Sequence, residues 1–141
     1  NKPYPVAKCK TWLDRLDDDP VSGAWFIEYN ISKKDSTVTA WMRLEKLDGT
    51  PYKTLAFKAR SKDGKPIGFY VEMVVGSGGG EKRGQSTVEA VTGEWTEVRI
   101  PLEQLNLPAL APLTELRFIF RDDATKTRRE TLIVEDIDLR P

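Results

Sequence analysis

The strongest regularity in the chain is alternation with period two, in short segments set apart by turn residues. Val38, Ala40, Met42 and Leu44 alternate with Thr37, Thr39, Trp41, Arg43 and Glu45. Leu55, Phe57 and Ala59 alternate with Ala56, Lys58 and Arg60, and Phe69, Val71, Met73 and Val75 with Tyr70, Glu72 and Val74. Leu116, Phe118 and Phe120 alternate with Glu115, Arg117, Ile119 and Arg121. Such segments bury one row of side chains and turn the other outward, as half-covered antiparallel strands do. Further strands are expected over 24–31, 85–91, 94–100 and 131–139. Asp48-Gly49, Asp63-Gly64 and Thr92-Gly93-Glu94 supply turn chemistry. Pro51, Pro66 and Pro101 stand at segment ends, where a missing N–H is tolerated. Only 10–17 and 102–105 read as briefly helical. About eight strands at regular spacing predict an all-β sandwich or barrel rather than a βαβ sheet.

The glycine-rich stretch Gly76-Ser77-Gly78-Gly79-Gly80-Glu81-Lys82-Arg83-Gly84 leads into the strand-like Gln85-Ser86-Thr87-Val88. A phosphate loop would open a helix with Lys-Ser/Thr, so this stretch reads as a long hairpin connection. With no linker or internal repeat, the 141 residues are expected to form one domain, excised from a larger protein.

Composition narrows the chemistry. There is no His and one Cys, which removes Ser-His-Asp and Cys-His nucleophiles, His-ligated metals, an internal disulfide and thiolate zinc clusters. Cys9 is expected to be a small core-filling side chain. The 22 Lys plus Arg balance 22 Asp plus Glu, so no net field draws the chain to nucleic acid. The basic cluster Lys126, Arg128 and Arg129 is flanked by Asp122, Asp123 and Glu130. No apolar run approaches the ~20 residues of a membrane helix, so direct membrane insertion is not expected.

The aromatic residues divide by their surroundings. Trp25, in Trp25-Phe26-Ile27-Glu28-Tyr29-Asn30-Ile31, belongs to a strand covered on both sides. Trp95 is expected to cover an edge of the sandwich, and Trp12 to plug one end of the core. Trp41 differs, because it shares the outward row with Thr39, Arg43 and Glu45. An outward indole beside charged groups suits a sugar: the ring stacks on C–H faces, while Arg and carboxylates bond to hydroxyls. Tyr70 and Glu72 form a second outward pair, with Lys58, Arg60, Arg117 and Arg121 on two further strands. The same rows also suit a solvated sheet face with cross-strand ion pairs, and alternation alone does not say which strands are neighbours.

Three segments in order resemble the jelly-roll carbohydrate-binding modules and their galactose-binding-domain-like relatives. They are Tyr52-Lys53-Thr54-Leu55-Ala56-Phe57-Lys58-Ala59-Arg60, Gly93-Glu94-Trp95-Thr96-Glu97-Val98-Arg99-Ile100-Pro101-Leu102, and Leu132-Ile133-Val134-Glu135-Asp136-Ile137-Asp138-Leu139. The resemblance implies a β-sandwich of two antiparallel sheets without catalysis of its own, joined to a catalytic or signalling domain in its parent protein. It implies a polysaccharide or oligosaccharide partner, and an extracellular or periplasmic setting. The candidate binding residues are Trp41, Arg43, Arg60, Tyr70, Glu72 and Arg117. Related modules often carry a structural calcium near the chain ends, which maps onto Asp136 with Glu135, and onto Asp18 in the acidic run Asp17-Asp18-Asp19. No carboxylate pair stands out for glycoside hydrolysis, and Ser77, Ser86 and Lys82 sit on or beside a loop ill suited to hold a nucleophile against its base. The alternative function is a ligand-sensing or protein-interaction domain of a larger envelope or signalling protein, built on the same sandwich.

Overall fold

The computed structural model describes residues 7–16, 19–31, 33–76 and 78–141, with the side chains of all these except 7, 8, 15, 16 and 19–22. Its strands are β1 (Ala7–Leu16), β2 (Asp19–Ile31), β3 (Thr37–Leu47), β4 (Thr54–Ser61), β5 (Ile67–Val75), β6 (Lys82–Val91), β7 (Thr96–Pro101), β8 (Leu113–Arg121) and β9 (Arg129–Arg140). They form a five-stranded sheet in the order β1-β2-β9-β4-β7 and a four-stranded sheet in the order β3-β8-β5-β6. Every pairing is antiparallel. The expected jelly-roll sandwich is therefore present. Among the described residues no helix is long and apolar enough to cross a membrane.

The inward rows are those that alternation marked. Trp25, Ile27, Tyr29 and Ile31 of β2 join Leu55, Phe57 and Ala59 of β4 and Leu132 and Val134 of β9 from one sheet. Phe69, Val71, Met73, Leu116, Phe118 and Phe120 meet them from the other. Tyr29 stacks on Phe120 with ring centroids 4.5 Å apart, and Phe57 meets Phe118 edge to face at 5.3 Å. Each large side chain so enclosed contributes about 1.5–3 kcal/mol.

Three expectations are corrected. Residues 10–16 are strand, not helix, because β1 pairs with β2 along nearly its whole length. Trp12 does not plug the core: it is paired with Phe26 and stacks on that ring at 5.3 Å, on the outer side of the five-stranded sheet. Cys9 is exposed on the same edge strand rather than buried. Trp95 lies just before β7 and packs with Phe26 around Ala24 and Ile133, on that same outer side. The segment 102–105 is a short 3-10 turn, as its sequence suggested.

Two loops frame the four-stranded sheet. At one end, residues 122–128 fold back toward β5. Gly68 makes this possible, since a Cβ there would strike the carbonyl oxygens of Ala124 and Glu89. The Tyr29 hydroxyl donates to the Thr127 carbonyl at 2.7 Å, and the Thr127 hydroxyl to the Pro66 carbonyl at 2.8 Å, which pins this loop from below. At the other end lies the glycine-rich turn between β5 and β6. There the Thr114 hydroxyl lies 3.2 Å from the Val74 carbonyl oxygen and 3.1 Å from that of Gly76.

Candidate glycan-binding face

Register places the outward residues of the four-stranded sheet in rows. Trp41 is opposite Arg117, Arg117 opposite Glu72, and Glu72 opposite Gln85, so this row crosses β3, β8, β5 and β6. The adjacent row is Thr39, Ile119, Tyr70 and Thr87. On the other side run Arg43, Glu115, Val74 and Arg83. Trp41 and Tyr70 are thus two strands apart and one outward position out of line. That separates them by about 12 Å, from the ~4.8 Å strand spacing and ~3.4 Å rise. The span exceeds one sugar ring and suits a chain of several.

Charges in the middle of this face are ordered by one another. Arg117 donates through Nη1 to Glu72 at 3.2 Å and through Nε to Glu115 at 2.8 Å, with Nη2 also on Glu115. The Gln85 amide donates to the second oxygen of Glu72 at 3.0 Å. Glu72 is only 5% exposed, so its carboxylate serves this network before any ligand. The result is a fixed polar floor, in which the buried Glu72 charge is matched by one Arg117 nitrogen and the Gln85 amide while the rest of the guanidinium holds Glu115.

The aromatic groups stand above that floor. Trp41 is 50% exposed, with the Arg43 guanidinium carbon 5.8 Å from its ring centroid. Tyr70 is half-buried beneath the Arg121 guanidinium, 4.1 Å from its centroid. Its hydroxyl donates to Asp123 of the framing loop at 3.4 Å, and Arg121 forms a 3.6 Å ion pair with the same residue. Trp41 therefore offers a half-exposed ring flanked by Arg43 to a ligand, whereas Tyr70 offers an edge and a hydroxyl.

Of the six candidate binding residues, Trp41, Arg43, Tyr70, Glu72 and Arg117 share this face. Arg60 does not. It lies on β4 in the opposite sheet, with its guanidinium carbon 5.3 Å from the Trp95 ring centroid. Alternation correctly assigned Arg60 to the outward side of its own strand, but that strand belongs to the sheet whose outward side points the other way. Lys58 shares that strand and forms a 3.5 Å ion pair with Asp136. Gln85, Thr87 and Asp123 join the face without having been singled out. The hairpin register across the glycine-rich turn sets Gln85 opposite Glu72, the one signal that could have found it.

The calcium expectation rested on Asp18, Glu135 and Asp136. Asp18 lies outside the described residues. Asp136 occupies a bulge in β9 with φ at +54°, and its carboxylate already has the Lys58 ammonium beside it. Among the described residues no group of three or more His, Cys, Asp or Glu stands together to hold a metal ion.

No protein-family profile matches the chain, and no curated protein does. Solved structures do match in fold. A family 11 carbohydrate-binding module from Clostridium thermocellum, in complex with a β-1,3-1,4-mixed-linked tetrasaccharide, superposes with a TM-score of 0.78 at 13% identity, covering 97% of this chain and 85% of that one. The family 30 carbohydrate-binding module of a cellulosomal cellulase from the same organism gives 0.68 at 18% identity, covering 95% and 90%. An exo-β-agarase gives 0.66 at 12% identity, where all of this chain covers 24% of that chain. The resemblance in the three sequence segments and the paired sheets lead to one conclusion: the chain has the jelly-roll β-sandwich fold of the carbohydrate-binding modules.

Proposed function

We propose that the chain is a non-catalytic carbohydrate-binding domain that holds an oligosaccharide or polysaccharide across the outer face of its four-stranded sheet. The observation that carries this is Trp41. Among the described residues the large hydrophobic side chains left exposed are Leu13 and Trp41, and Trp41 stands opposite Arg117, which Glu72 and Glu115 hold in place. A sugar stacked on the indole would meet Arg43 at one side, with the Glu72–Arg117–Glu115 floor along the sheet. Tyr70, Gln85, Thr39 and Thr87 would extend the contact along a chain. Such a domain acts by concentrating its parent protein on a glycan, which fits an appended catalytic or signalling domain and an extracellular or periplasmic setting.

The test is affinity electrophoresis and calorimetry against a panel of soluble polysaccharides, together with the β-1,3-1,4-mixed-linked tetrasaccharide seen in complex with the family 11 neighbour. Retardation by at least one glycan, abolished in Trp41→Ala, is expected. Absence of retardation by every glycan, with Trp41→Ala behaving as the parent, would reject the proposal in favour of a sensing or protein-interaction role.

A further inference from the structure

Next to Trp41, β3 departs from regular pairing. Arg43 is opposite Glu115, and the next matched pair is Leu47 with Leu113, so Leu44, Glu45 and Lys46 stand against Thr114 alone. The extra residues are accommodated by two consecutive left-handed conformations, φ +51° at Glu45 and +56° at Lys46. Neither residue is glycine, so the chain holds the bulge against its own preference. The effect is to push Glu45 and Lys46 outward, where they form one wall of a cavity of about 390 Å³. The glycine-rich turn at Gly76 and Gly78 forms the facing wall, with Thr114 and Glu115 between them. Arg43 lines the cavity as well and lies against the Trp41 ring, so the cavity continues the aromatic platform.

The chemistry of the lining selects a class of ligand. Arg43 and Lys46 are donors, while Glu45 and the carboxylate oxygens of Glu81 and Glu115 are acceptors. Arg83 holds Glu81 at 2.6 Å, and Arg117 holds both Glu115 and Glu72. With these pairs counted, the two signs cancel, leaving no net charge to attract an ion. A wall of interleaved donors and acceptors suits hydroxyl groups, each of which donates and accepts at once. Given glycan binding on the platform, we infer that this cavity is a terminal subsite for one uncharged sugar unit, beyond the unit stacked on Trp41. The domain therefore reads glycan length, binding a chain long enough to fill both places more tightly than a short one.

Glycine is the informative substitution at Glu45 and Lys46, because it removes the side chains while suiting the backbone. The double variant Glu45→Gly/Lys46→Gly is expected to keep or raise its thermal midpoint. Calorimetry of the parent, this variant and Trp41→Ala would use cello-oligosaccharides and mixed-linkage oligosaccharides from disaccharide to hexasaccharide. The glycine variant is expected to lose about tenfold in affinity for the longest members and less for the disaccharide, which can bind the platform without entering the cavity. Trp41→Ala is expected to weaken every length. Equal affinity of the glycine variant and the parent at every length, with Trp41→Ala still weakened, would overturn the subsite and leave the platform standing. Tighter binding of an oligogalacturonate than of the matched neutral chain would overturn the uncharged class. Absence of parent binding to the whole ladder and to every glycan of the electrophoresis panel, unchanged in Trp41→Ala, would overturn platform and subsite together.

Discussion

At the scale of residues, the binding face separates groups that hold the sheet from groups that face solvent. Trp41 rests on the surface, so Trp41→Ala is expected to change stability by no more than about 0.5 kcal/mol. The same substitution should weaken glycan binding by about tenfold or more. Arg117 is the opposite case. Its removal leaves the nearly enclosed Glu72 carboxylate without its one charged donor, with only the Gln85 amide beside it, and Arg117→Ala is expected to cost about 2–3 kcal/mol in urea denaturation. Tyr29 offers a test with pH. Burial, and secondarily the charge of Glu130, push its phenol well above the ordinary value of about 10. The folded state therefore holds this proton more tightly than the unfolded chain. That contribution is complete below pH ~10 and is lost as pH rises beyond it. Tyr29→Phe is expected to be less stable at neutral pH by about 1 kcal/mol, the worth of its bond to Thr127. Its further loss above pH ~10 should be smaller than that of the parent, measured by denaturant titration at both pH values.

At the scale of elements, the loop over Gly68 ties the framing wall to the sheet. Gly68→Ala would drive a methyl group into the Ala124 and Glu89 carbonyls and is expected to cost about 2 kcal/mol or more, read as a lowered thermal midpoint. Because Asp123 sits in that loop and accepts from Tyr70, the variant should also disturb the Tyr70 end of the face. Strand identity was legible in the sequence, since period two marks which side chains point inward whatever the partner strand. The pairing of strands was not. Arg60 and Arg117 carry the same outward signature, yet they lie on opposite sides of the molecule, because sheet membership depends on long-range pairing that local alternation does not encode. Residues 10–16 failed for a related reason. The spacing of Trp12, Leu13 and Leu16 suits a helical face as well as a strand, and pairing with β2 decides between them. The bulge at Glu45 and Lys46 had no sequence signal either, because neither residue type favours positive φ.

At the scale of the whole molecule, equal numbers of acidic and basic groups acquire a local meaning. On the binding face Arg117, Arg83 and Arg121 are each paired with carboxylates, so neutrality holds there as well as overall. Recognition by stacking and directional hydrogen bonds is expected to respond weakly to ionic strength. Affinity for a neutral glycan should change by less than about twofold between dilute buffer and 1 M salt, where screening acts within ~3 Å. A tenfold fall in the same calorimetric titration would point to recognition by charge. The central claim concerns location: the glycan lies on the outer side of the four-stranded sheet. Amide and indole NMR shifts during titration with the glycan found by electrophoresis test it most directly. The expected result is a contiguous set of shifts at Thr39, Trp41, Tyr70, Gln85 and Thr87, with the Trp41 indole among the largest. Shifts centred on Trp12, Phe26 and Trp95, across the sandwich on the five-stranded sheet, would contradict it.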